Sequence, residues 1–187
     1  MPVVAIVGSA GGIRALSVVL AALPADLPAC VLVVIHLTPL APSVLAAILA
    51  RETALHVETA LNRAKLVPGV VLVAPPDAHL IVEADRTVHL DHSEVVHHVR
   101  PSADVLLLSL AKNRVEPVTA VILSGTGIDG AAGAAAIKQA DGHVLAQDEA
   151  TSEYFGMPGA AILAGGVDEV LPLDAIAPAV LQCVAAV

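Results

Sequence analysis

The stretch VVAIVGSAGG, residues 3–12, decides how the rest of the chain is read. An unbroken run of valine, alanine and isoleucine suits a strand buried on both faces of a sheet. Small residues follow at once, so the chain turns tightly where the strand ends. One hydroxyl, Ser9, sits in that turn. It fits three roles: spacer in a phosphate-binding loop, turn residue, or nucleophile. The stretch matches neither GxGxxG nor the Walker pattern, no lysine follows, and it departs from the GxSxG elbow. The choice between the roles passes to residues further along.

Outward from this strand the pattern repeats. Residues 13–23 read as a helix stopped by Pro24, and residues 30–36 as a second buried strand. A helix over 42–51 and short strands over 57–60 and 69–74 follow. Residues 79–92 alternate about a polar Asp85-Arg86 turn, with Leu80, Val82, Val88 and Leu90 facing inward, which is a hairpin signature. A helix over 102–113 follows Pro101, with Ser102 placed to cap it. Then come a strand over 118–123, an alanine-rich helix over 130–140, a strand over 143–146, a helix over 157–164, a strand over 167–171 and a helix over 174–187. Strands alternating with helices imply an α/β fold: a doubly wound, mostly parallel sheet with helices on both faces, plus an antiparallel hairpin.

The bulk numbers agree. The 187 residues suit a single domain spanning 1–187. Hydrophobic residues make up 57 % and mean hydropathy is +0.83, yet every apolar run falls short of the roughly 20 residues a spanning helix needs. The chain is therefore not expected to be membrane-embedded. The N-terminus has no basic segment ahead of an apolar one, so no signal peptide and a cytoplasmic location are expected. Cys30 and Cys183 stand alone in apolar surroundings and read as core residues, not as a disulfide. A net charge of −9 argues against nucleic acid as partner.

In open α/β sheets ligands bind beyond the carboxyl ends of the strands. Those ends deliver Ser9, His36 and, after the strand over 118–123, Asp129. Together they are the ingredients of a Ser-His-Asp hydrolase: an imidazole takes the serine proton and a carboxylate orients the imidazole. Each has a plainer reading as well. His36 fits a satisfied core histidine, and Asp129 fits a helix N-cap.

The stretches AIVGSAGG, LPADLPACVLVVIHL, PGVVLVAPPDAHL, RPSADVLLLSLAK, VILSGTGIDGAAG, AQDEAT and FGMPGAA, in that order, resemble the catalytic domain of the chemotaxis-receptor methylesterases, the CheB family. The resemblance covers nearly the whole chain. It implies Ser9 as nucleophile, His36 as general base and Asp129 as orienting acid. It implies backbone N–H groups of Ala10 and Thr126 at the oxyanion, and Arg100 and Met157 on the substrate side. It implies a serine hydrolase that removes methyl esters from glutamates on cytoplasmic helices of chemoreceptors, with glutamine deamidation as the same acyl chemistry. It implies no cofactor and no metal. The chain departs from the family in having Thr126 where a methionine is usual, and in placing His98, not residue 99, nearest to Arg100. Family members commonly carry a receiver domain, which is not expected within these residues.

The segment HLDHSEVVHH, with His89, Asp91, His92, Glu94, His97 and His98, invites a metal reading, but it contains no tight ligand motif and suits weak adventitious binding. Tyr154 and Phe155, the only aromatic residues, fit either a site rim or a loop anchor. Two alternatives to the methylesterase stand: a non-catalytic interaction module on the same fold, and an esterase of small metabolites.

Overall fold

The computed structural model describes residues 1–36 and 44–186. The element order is β1 (Val3–Gly8), α1 (Gly12–Ala21), β2 (Cys30–Ile35), α2 (Leu45–Leu49), β3 (His56–Thr59), β4 (Val70–Val73), β5 (His79–Val82), β6 (Val88–Asp91), α3 (Ala103–Lys112), β7 (Val118–Ile122), α4 (Ala131–Gln139), β8 (His143–Gln147), α5 (Gly156–Leu163), β9 (Glu169–Leu171) and α6 (Leu173–Ala185). Seven strands form one sheet in the order β3-β4-β2-β1-β7-β8-β9. Every pairing in it is parallel. The parallel sheet is the one the sequence implies. The expected hairpin, β5–β6, is a separate two-stranded sheet. Leu80, Val82 and Val88 bury as the alternation requires, while Leu90 is only half-buried.

Both faces of the sheet are covered, which is why β1 and β2 read as continuous apolar runs. Val3, Ala5 and Val7 pack with Leu106, Leu107 and Leu110 of α3, Ile137 of α4, Met157 of α5 and the hairpin residues Leu80, Val82 and Val88. Val4 and Ile6 face the opposite way, onto Leu16, Val19 and Leu20 of α1 and Ile176 and Val180 of α6. The scarcity of aromatics is made up by many small and branched side chains in both layers.

Part of the helix expected over 42–51 lies outside the described residues; its described portion is α2. The last strand is shorter than expected and begins at Glu169. Cys30 is fully buried, but Cys183 on α6 is only half-buried, and neither forms a disulfide. Among the described residues no helix is long and apolar enough to cross a membrane.

Candidate active site

The chain leaves β1 toward β2 on one side and reaches β7 on the other, so β1 is the topological switch point of the sheet. The loops after β1, β2 and β7 open there into one cleft of about 490 Å³, lined by Ser9, His36, His97, Thr126, Ile128 and Asp129 among others. This is where the sheet rule places a ligand.

The loop that carries Ser9 is pinned from below. The Ser9 N–H donates to the Ser124 carbonyl at 3.0 Å, and the Gly12 N–H donates to the Ser9 carbonyl at 2.9 Å. Gly11 holds a left-handed φ of 73° at the start of α1. Glycine reaches that region without the penalty a side chain incurs. The loop after β7 packs against it: a Cβ on Gly125 would stand 2.4 Å from Met157 Sδ and 2.9 Å from Ser9 Cβ. Only a glycine lets the two backbones come this close.

His36 lies one residue past β2 and its Nε2 is 2.7 Å from Asp129 Oδ2. Asp129 does not cap its own helix: Gly130 stands at the N-cap of α4. Its carboxylate instead meets the N-terminus of α3. Asp129 Oδ1 accepts from Ser102 Oγ at 2.7 Å and from the Asp104 N–H at 3.0 Å, and Oδ2 accepts from the Ala103 N–H at 2.7 Å. Burial pushes the Asp129 carboxyl up, but the hydrogen bonds from His36, the Asp104 amide, Ser102 and the Ala103 amide outweigh it and hold the group below the ordinary carboxylate range. An ionised carboxylate only accepts, so His36 Nε2 carries a proton, and Nδ1 is the ring nitrogen not engaged by Asp129.

Ser9 and His36 line the same cleft, but their side chains make no hydrogen bond to each other. Such contacts are often loose without substrate and tighten in the reacting complex. The backbone N–H groups of Ala10 and Thr126 have no acceptor among the described residues. Two other expected residues lie apart from the cleft lining. Arg100 is drawn to the hairpin, where its guanidinium pairs with Asp77 and donates to the carbonyls of His92, at 2.9 Å, and Ser93. Met157 is fully buried beneath Gly125. Tyr154 anchors the β7 loop through its backbone, its carbonyl accepting from the Gly125 N–H at 2.9 Å and its N–H donating to Ser124 Oγ at 3.0 Å. Its side chain stays half-exposed.

Of the histidine-rich segment, only His97 enters a cluster able to hold a metal, with Asp104 and Asp129, among the described residues. Both carboxylates there are already engaged: Asp104 accepts from His97 at 3.0 Å and from the Gly133 N–H at 2.7 Å. A cation would have to displace those bonds and the ones on Asp129.

Sequence reasoning missed Ser124 and Gln147, which brace the loops after β1 and β7 from beside the cleft and line a neighbouring cavity of about 220 Å³. The Ser124 N–H donates to Gln147 Oε1 at 2.9 Å, and the Ser124 hydroxyl donates to the Ala10 carbonyl at 2.9 Å. The signal was present in AQDEAT, where a glutamine ends a buried strand and needs partners for its amide.

A wholly parallel, doubly wound sheet with a His-Asp pair and a serine loop at its switch point defines a class of α/β proteins built for polar chemistry at the strand ends. The chain matches the CheB methylesterase family model over residues 4–180, and it belongs to that family. It is 39 % identical over 183 residues to the protein-glutamate methylesterase FrzG of Myxococcus xanthus, covering 98 % of this chain and 55 % of the relative. It is 42 % identical over 183 residues to protein-glutamate methylesterase/protein-glutamine glutaminase 2 of Pseudomonas aeruginosa, covering 96 % of this chain and 52 % of the relative. The chain thus spans about half the length of these curated relatives. The crystal structure of the Thermotoga maritima CheB methylesterase catalytic domain superposes with a TM-score of 0.91 at 37 % identity, covering 96 % of this chain and 97 % of that one.

Proposed function

We propose that this chain hydrolyses glutamate methyl esters on the cytoplasmic helices of chemoreceptors, with Ser9, His36 and Asp129 as a catalytic triad. The observation that carries the reading is the His36 Nε2 to Asp129 contact of 2.7 Å in a cleft that Ser9 also lines. It leaves Nδ1 as the nitrogen free to act on Ser9. The Ser9 oxygen attacks the ester carbonyl while its proton passes to His36 Nδ1. Asp129, ionised and held by α3, stabilises the resulting imidazolium. The oxyanion is met by the Ala10 and Thr126 N–H groups, which have no competing acceptor among the described residues. Nδ1 returns the proton to the methoxide, methanol leaves, and an acyl-serine remains. Water then attacks it with His36 again as base, restoring Ser9 and releasing the glutamate. With a glutamine substrate the same steps release ammonia. The family name and the relatives' names support this substrate class.

The test is release of volatile methanol from radiolabelled, methylated chemoreceptor fragments. Ser9→Ala and His36→Ala should each lower turnover by about 10⁴-fold or more, and the double variant should add little, because the two act as a unit. Receptor binding without methanol release, unchanged by Ser9→Ala, would favour an interaction module. Hydrolysis of p-nitrophenyl acetate alone would favour a small-ester esterase.

A further inference from the structure

Behind the Asp129 carboxylate lies a second histidine that neither the triad nor the metal cluster uses. His79 is the first residue of β5 and is fully buried. Its Nδ1 is 3.1 Å from the backbone nitrogen of Ser102, and its Nε2 is 3.0 Å from the Glu94 carbonyl oxygen. A backbone N–H can only donate and a carbonyl can only accept. His79 is therefore a neutral ring with its proton on Nε2.

Ser102 is the N-cap of α3, with its side chain accepting from the Val105 N–H at 3.4 Å. In a capping box the N-cap N–H is satisfied by a Glu or Gln three residues on. Val105 stands at that position and has nothing to offer. Ser102 is fully buried, so without a partner its N–H would be left a buried, unpaired donor. His79 Nδ1 replaces the missing acceptor. The same serine then donates its hydroxyl to Asp129 Oδ1 at 2.7 Å, beside the Ala103 and Asp104 amides. The chain of contacts runs from His79 to Ser102, from Ser102 to Asp129, and from Asp129 to His36.

We infer that His79 is a positioning residue for the active site: by accepting from the Ser102 N–H, it fixes the α3 N-terminus on which the Asp129 carboxylate is seated. The inference rests on the triad reading for its effect on turnover, but its effect on the His36–Asp129 contact is independent of substrate. Geometry at this distance matters, because a displacement of about 1 Å in catalytic groups can cost roughly a hundredfold in rate.

Two variants separate positioning from simple stability. His79→Asn places an amide oxygen near the Nδ1 position, so it keeps the Ser102 bond and loses the Glu94 bond. His79→Gln places its amide near Nε2, so it keeps the Glu94 bond and loses the Ser102 bond. Each loses one hydrogen bond, and their melting temperatures should fall by similar amounts. His79→Gln should lower kcat for methanol release more than tenfold with little change in KM, and should shift the downfield proton resonance of His36 Nε2–H. His79→Asn should keep kcat within about threefold and leave that resonance in place. Equal losses in both variants, or wild-type kcat and resonance in His79→Gln, would overturn the inference. If neither variant folds, nitrogen-15 shifts of His79 in the wild-type protein decide it: a proton on Nδ1 rules the arrangement out, and one on Nε2 supports it. If the wild type and Ser9→Ala are equally inactive, the triad reading fails, while the His36 resonance still tests this one.

Discussion

At the scale of single residues the most demanding position is Asp129. Both of its oxygens are shared between α3 and a side chain: Oδ2 accepts from His36 and the Ala103 N–H, Oδ1 from Ser102 and the Asp104 N–H. An asparagine cannot reproduce this. Whichever way its amide turns, the NH₂ group faces a backbone N–H of α3, donor against donor. Asp129→Asn should therefore destabilise the fold at pH 7 by about 2–4 kcal/mol as well as slow turnover by roughly 10³-fold or more. The pH dependence has a definite sign. Asp129 titrates below its ordinary value when folded. The stability it adds is full above the unfolded carboxylate pKa of about 3.9 and is lost as the pH falls through the lower folded value. Urea melts at pH 7 and pH 3 should show a gap between wild type and variant that narrows on acidification. Equal stabilities at pH 7 would mean that the α3 amides do not depend on this carboxylate.

At the scale of elements, the cleft depends on how closely the β1 and β7 loops meet. A Cβ on Gly125 would overlap both Met157 Sδ, at 2.4 Å, and Ser9 Cβ, at 2.9 Å. The methionine end is flexible and gives way, whereas Ser9 is tied to the Ser124 carbonyl through its own N–H. Gly125→Ala should therefore cost about 1–3 kcal/mol through overpacking and lower kcat by roughly a hundredfold through the displaced serine. Adding Met157→Ala removes the sulfur overlap but not the Ser9 overlap. Thermal melts and methanol release on the double variant should show stability regained relative to the sum of the single changes, with kcat still low. Full recovery of kcat would place the damage at α5 instead of the serine loop. The elements themselves were legible because strand period, buried runs and capping signals are local; α3 follows from Pro101 and Ser102, and the hairpin from its alternation. The partners of those elements were not legible. Asp129 reads locally as a cap for the helix just after it, and only the tertiary fold turns its carboxylate onto α3. His79 reads as an ordinary strand residue because its donor partner, the Ser102 N–H, and its acceptor partner, the Glu94 carbonyl, lie 23 and 15 positions away. The resemblance places Met157 on the substrate side; in the fold it is fully buried under Gly125, where a Cβ would stand 2.4 Å from its Sδ.

At the scale of the whole molecule, both layers of core meet on the central strands. β2 lies between β1 and β4, and its residues alternate between the α3–α4–α5 layer and the α1–α2–α6 layer. His36 extends directly from this strand, so the position of the proposed base is set by both layers at once. Cys30, at the other end of β2, is fully buried, and burial pushes its thiol up to about 11 despite small opposing contributions from the Val67 backbone and Arg86. In the native protein at pH 8 only about one such thiol in a thousand would be ionised. Exposing Cys30 requires that β2 part from two neighbouring strands and two helix layers, which leaves little of the fold intact. In a Cys183→Ala background, labelling of Cys30 by a thiol reagent should therefore follow global unfolding, with a urea dependence equal to the equilibrium m value. Labelling with a much shallower urea dependence would show that β2 opens locally, and that the His36 end of the site has a stability of its own, separate from the layer that holds Asp129.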